Sequence, residues 1–104
     1  MNIPIGLSRD TGIGYILTGG ISPLSRSKGL AIDQIENING IFGTGEQFSI
    51  KKANPSSSLE QKKLWKALCL GAPYLAIITS IRIKTFESKS ICVSQGLIKA
   101  KELV

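Results

Sequence analysis

Tyr15-Ile16-Leu17-Thr18-Gly19-Gly20-Ile21-Ser22-Pro23-Leu24 is the stretch whose reading decides the fold. Tyr15 to Thr18 is a short, largely apolar run bounded by Gly14 and Gly19. Such a run suits a strand buried on both faces, as strands of a parallel sheet are. Gly19-Gly20 then gives the backbone conformations that a side chain forbids, and Ser22-Pro23 begins a polar loop through Lys28. A second strand exit of the same kind is read at Ala53-Asn54-Pro55-Ser56. There Asn54-Pro55 ends an expected strand over Gln47 to Lys52, with Phe48 and Ile50 on one face.

Outward from these two points the chain alternates. Between Gly29 and Ile38, the residues Leu30, Ile32, Ile35 and Ile38 form an approximate helical stripe, and Asn39-Gly40 reads as its stop. Ser57 with Glu60 fits a capping box at the start of a second helix. That helix is expected to run to about Leu70, to bury Leu64, Trp65, Ala67 and Leu68, and to end at Gly71 and Pro73. Tyr74 to Phe86 is the clearest strand, with Ile77, Thr79, Ile81 and Ile83 alternating with Ile78, Ser80, Arg82 and Lys84. At the N-terminus Ile3, Ile5 and Leu7 alternate, but Pro4 allows an edge strand there or none. Glu87 to Ser90 reads as a turn, Ile91 to Val93 as one more strand and Leu97 to Leu103 as a helical tail. The order strand, helix, strand, helix, strand predicts an α/β fold. Its small, mostly parallel sheet would have flanking helices and right-handed crossovers. The expected division is a partial α/β domain over 1–86 and a strand/helix tail over 87–104.

The chain has 104 residues, 42% of them hydrophobic, which fits one domain with one modest core. Thirteen Lys and Arg against seven Asp and Glu give a net charge of +6, a balance that favours polyanion partners such as nucleic acid. Histidine is absent and the two cysteines, Cys69 and Cys92, have no C-x-x-C spacing, so an ordinary structural zinc site is excluded. Cys69 lies in an apolar run and reads as a buried small hydrophobe. Without histidine there is no Ser-His or Cys-His pair, and no two acids form a D-x-D arrangement for magnesium. Gly40 and Gly45 have the outer spacing of a phosphate-binding P-loop, but Glu46 stands where its lysine belongs. These absences predict no catalytic residue, no metal, no cofactor and no enzyme activity.

The longest apolar run, Ala67 to Ile81, is interrupted by Gly71 and Pro73 and is shorter than the ~20 residues of a membrane-spanning helix. With no signal peptide at the start, a cytoplasmic protein without membrane contact is expected. A membrane-associated protein using 64–83 is an alternative, since Lys66 and Arg82 are the only charges in that stretch. The cations form local groups: Arg26 with Lys28, Lys51 with Lys52, Lys62 with Lys63 and Lys66, and Arg82 with Lys84. If the loops converge, they neutralise phosphates at one edge of the sheet. The expected DNA-binding residues are Arg26, Lys28, Lys51, Lys52, Lys62 and Lys63. The competing reading is that Lys62 and Lys63 merely solvate an outer helix face.

Taken together, these motifs resemble the RecR recombination-mediator family. A strand of that family's Toprim domain ends in Tyr-x-Val-Leu-x-Gly-x-x-Ser-Pro-Leu. Gly14 to Leu24 resembles it, with Ile16-Leu17 at the Val-Leu pair, Gly19 at the glycine and Ser22-Pro23-Leu24 at the close. Leu30, Ile32 and Ile35 are similar to the helix that follows, Ala53-Asn54-Pro55-Ser56 to the family's Thr-Asn-Pro-Thr, and Leu97 to Leu103 to its closing segment. The chain departs from the family in having no room for the helix-hairpin-helix and four-cysteine zinc modules, and in carrying Ser58 at an acidic position. It resembles a divergent or truncated member. The resemblance implies a Toprim-like sheet and a non-catalytic role in recombinational DNA repair, binding single-stranded or duplex DNA or assembling a mediator. It also implies a RecO-like partner and a homo-oligomer. A structural or interaction protein without DNA contact, self-associating through the sheet edge or tail, is the alternative from another class.

Overall fold

A computed structural model of the chain describes residues 1–87, 92, 94 and 96–99. Two short helices come first, α1 (Ile13–Leu17) and α2 (Ser25–Lys28). A 3₁₀ turn (Ile32–Gln34) leads into β1 (Ile35–Phe42), followed by β2 (Gln47–Lys51), α3 (Leu59–Leu75) and β3 (Ala76–Ile83). The strands form one sheet in the order β2-β1-β3. Both pairings are antiparallel, so the mostly parallel, Toprim-like sheet expected from the sequence is not the architecture of this chain.

Tyr15 to Leu17 lies in α1 and Thr18 is its C-cap, so the run is not a strand. A short apolar run has too few residues for its periodicity to choose between helix and strand, so packing chooses. Ile16 and Leu17 are both buried, and α1 packs against α3. Tyr15 Oη donates to the Ile21 carbonyl at 2.6 Å, folding the Gly19-Gly20 corner back on itself. Both glycines have positive φ, and a Cβ on Gly20 would lie 2.4 Å from the Ala31 Cβ. The corner is thus a seat for the 3₁₀ turn, whose Ala31 and Ile32 N–H groups donate to the Gly20 and Gly19 carbonyls.

The expected helix from Gly29 to Ile38 is instead the 3₁₀ turn and the first half of β1. Ile35 and Ile38 are both fully buried although they are three residues apart. In an uninterrupted strand, that spacing would put them on opposite faces. The register resolves the conflict: Ile35 pairs with Ile83 and Asn37 with Arg82, leaving Glu36 as an extra residue. A β-bulge of this kind resets the alternation, and an i, i+3 apolar pair is what remains in the sequence. A second shift leaves Thr79 unpaired between Ser80 and Ile78. Ile78 and Ile81 then both reach the core side.

Asn39-Gly40 lies inside β1 rather than at a helix end. A Cβ on Gly40 would sit 2.7 Å from the Ile77 carbonyl and 2.8 Å from the Phe48 ring, so glycine makes room for Phe48, which stacks on Phe42 at 4.3 Å. Phe42 and Glu46 close a tight hairpin around Gly45, whose φ is +86°. No crossover helix separates β1 from β2, so the pair is antiparallel.

β2 falls where it is expected. The N-cap of α3 is Ser58, whose hydroxyl accepts from the Gln61 N–H at 3.2 Å, and not Ser57 of the expected box. Helical geometry breaks at Cys69 and at Leu70, which has φ +72°, and then resumes with Pro73 in the new turn. Trp65 and Leu68 are buried as expected, Leu64 is half-buried and Ala67 is exposed. The N-terminal segment makes one bridge, Asn2 to Phe86, and buries Pro4. Among the described residues, no helix is long and apolar enough to cross a membrane. The expected strand at Ile91 to Val93 and helix at Leu97 to Leu103 lie largely outside the described residues.

Candidate anion-binding groove

The connection from β2 to α3 is a turn closed by its own side chains. Asn54 N–H donates to Ser57 Oγ at 3.0 Å, and the Ser57 N–H returns to the Asn54 carbonyl at 3.1 Å. The Asn54 side-chain oxygen accepts from the hydroxyls of Ser56 and Ser57. Asn, Pro and Ser form such turns because short polar side chains replace missing backbone partners. Gln61 Nε2 donates to the Lys51 carbonyl at 3.2 Å and ties the first turn of α3 to the end of β2.

Against this turn α3 presents Lys62, Lys63 and Lys66, together with Leu59 and an edge of Trp65. The groove between them has a volume of about 620 Å³. Its floor is Trp65, only 8% exposed, and its apolar walls are Pro55 and Leu59, the latter 66% exposed. Lys62 Nζ reaches across to donate to the Pro55 carbonyl at 2.7 Å. Lys63 and Lys66 are exposed, and their spacing places them on neighbouring turns of one helix face. Lysine stems cover apolar surface while the ammonium groups stay in water. The arrangement therefore suits an anion with an apolar body.

The six cations expected to bind DNA are distributed over several places. Lys62 and Lys63 line the groove, and Lys66 completes it from the same sequence group. Arg26 and Lys28 are exposed on α2, where Lys28 Nζ lies 4.9 Å from the centre of the Phe86 ring. Lys52 Nζ donates to the Asp33 carbonyl at 2.5 Å. Lys51 pairs with Asn37 in the sheet, and Asn37 pairs with Arg82 on its other side. Lys51 and Arg82 therefore share one row on the face of the sheet.

That face also carries polar contacts the sequence reading did not find. Asn39 Nδ2 donates to Ser80 Oγ, and Asn37 Nδ2 donates to the side-chain oxygen of Asn39, both at 2.8 Å. The alternation of Asn37 with Asn39 is the signal for it, hidden because the segment reads as helix. Cys69 is half-buried, and its burial pushes the thiol pKa up; nearby Lys52 pulls it down and Asp33 adds a smaller upward push. Among the described residues, no three His, Cys, Asp or Glu side chains gather where they could hold a metal ion.

Comparisons with protein-family models, with curated proteins and with solved structures found no match to this chain.

Proposed function

We propose that this chain is a non-catalytic, cytoplasmic DNA-binding protein that holds phosphates along the groove between the Asn54-Pro55 turn and α3. The observation that carries the reading is that Lys62, Lys63 and Lys66 line one groove. The net charge of +6 supports it by drawing polyanions to the molecule. The setting of recombinational repair, with mediator assembly and a RecO-like partner, comes from the resemblance of Gly14 to Leu24 and Ala53 to Ser56 to the RecR motifs. The antiparallel sheet lends that setting no support, so the DNA-binding reading stands on the lysines.

A gel shift across a salt series tests it. Two lysine–phosphate contacts, at Lys63 and Lys66, contribute roughly −1.4 to the slope of log affinity against log salt, at about −0.7 per contact on a single strand. Lys63→Glu with Lys66→Glu is expected to weaken binding at low salt and to flatten that slope. The absence of any shift at low salt, or the same slope in the double variant, overturns the assignment.

A different observation favours an interaction role without DNA contact. β3 pairs with another strand only on its β1 side, among the described residues, and Ile77 on it is 72% exposed. Edge strands of low charge invite pairing with another strand. On this reading the chain self-associates, and sedimentation at several salt concentrations shows an oligomer that salt does not dissociate.

A further inference from the structure

Resting on the DNA-binding reading, we infer that the groove selects single-stranded over duplex DNA, taking an unstacked base against Pro55 and Leu59 while Lys63 and Lys66 hold the flanking phosphates. The composition of the groove is the reason. Phosphate binding alone needs only cations, yet this groove has proline and leucine walls over the buried indole of Trp65. A duplex presents phosphate and sugar on its outside and keeps its base faces stacked. Against a duplex, the apolar walls would stay without a partner. A single strand offers base faces that pack on apolar and aromatic side chains, with the backbone beside them on cations.

The geometry agrees. Lys62 is held on the Pro55 carbonyl at 2.7 Å, so it braces the rim, while Lys63 and Lys66 extend from exposed positions. The volume of about 620 Å³ lies within the range of small-molecule pockets.

Trp65 is the single tryptophan of the chain, so its fluorescence reports on the groove directly. The full chain is titrated with three probes of one length: a single-stranded oligothymidine, a duplex, and a single strand of abasic sites. The expected result is that the oligothymidine binds at least about tenfold more tightly than either of the others and alone changes the Trp65 emission. Leu59→Ser, at an exposed position, is expected to reduce that preference by weakening the oligothymidine complex, and an unchanged preference counts against the base contact. Equal affinity for all three probes overturns the inference and leaves a phosphate-only DNA binder. Failure of every probe to bind at low salt overturns the DNA-binding reading itself.

Discussion

Leu70 has a φ of +72°, a region where side chains other than those of glycine, asparagine and aspartate are strained. It is 58% exposed, so its side chain contributes little to the core. The strain sits where α3 changes direction, one residue before Gly71. Leu70→Gly removes the Cβ conflict, worth about 1–2 kcal/mol, and adds about 0.5–1 kcal/mol of unfolded-chain entropy. The expected net effect is a stabilisation of roughly 0.5–1 kcal/mol, read as a higher urea midpoint with unchanged slope. A lower midpoint would show that the leucine is held there by contacts that outweigh the strain. At Gly19-Gly20 the sequence predicts backbone conformations that a side chain forbids, and both residues have positive φ. The glycine reading fails at Gly40, which relieves crowding from Phe48 and Ile77 instead of ending a helix. The neighbour that demands glycine at 40 lies outside its own segment, so no local signal marks it.

Among the elements, β2 and α3 are legible because their signals are local. Gln47 to Lys51 alternates beside a Gly-rich turn, and α3 begins at a cluster of serines with a Glu in its first turn. The capping serine is off by one because Ser57 is engaged by Asn54 in the preceding turn, leaving Ser58 to meet the Gln61 N–H. Ser58→Ala is therefore expected to cost about 1 kcal/mol of stability, measured by thermal or urea unfolding, as loss of a helix cap does. An unchanged midpoint would remove Ser58 as the cap. β1 was not legible. Its bulge at Glu36 puts Ile35 and Ile38 on one face at a helical spacing, and the cross-strand register that creates the bulge depends on β3, more than forty residues away in the chain. The same misreading concealed the Asn37, Asn39 and Ser80 contacts, since the two asparagines share a face only in a strand.

At the scale of the molecule, α1, α3 and the inner face of the sheet meet around Leu68, Ile35 and Ile38, all fully buried. Leu68 lies just before the break in α3, so it joins the longer helical segment to the core. Leu68→Ala is expected to lower the unfolding free energy by about 3 kcal/mol, through lost burial and the cavity left behind. Urea denaturation checks this, and a loss below about 1 kcal/mol would mean that the core closes around the gap. The candidate groove shows the same division between scales. Its lysines were legible as a helical group, but their meeting with Pro55 depends on how the Asn54 turn folds against α3.

What the sequence by itself determined is its local chemistry: the hydrophobic share, the positive charge, the turn residues, the second strand and the long helix with its row of lysines. Each follows from interactions within a few residues, such as capping, turn closure and alternation. Tertiary structure alone decided that the sheet is antiparallel, that Tyr15 to Leu17 is helical and that Ile35 to Phe42 is a strand. The physical reason is that short apolar runs satisfy helix and strand almost equally well. The choice between them falls to distant partners: α3 for the first and β3 for the second.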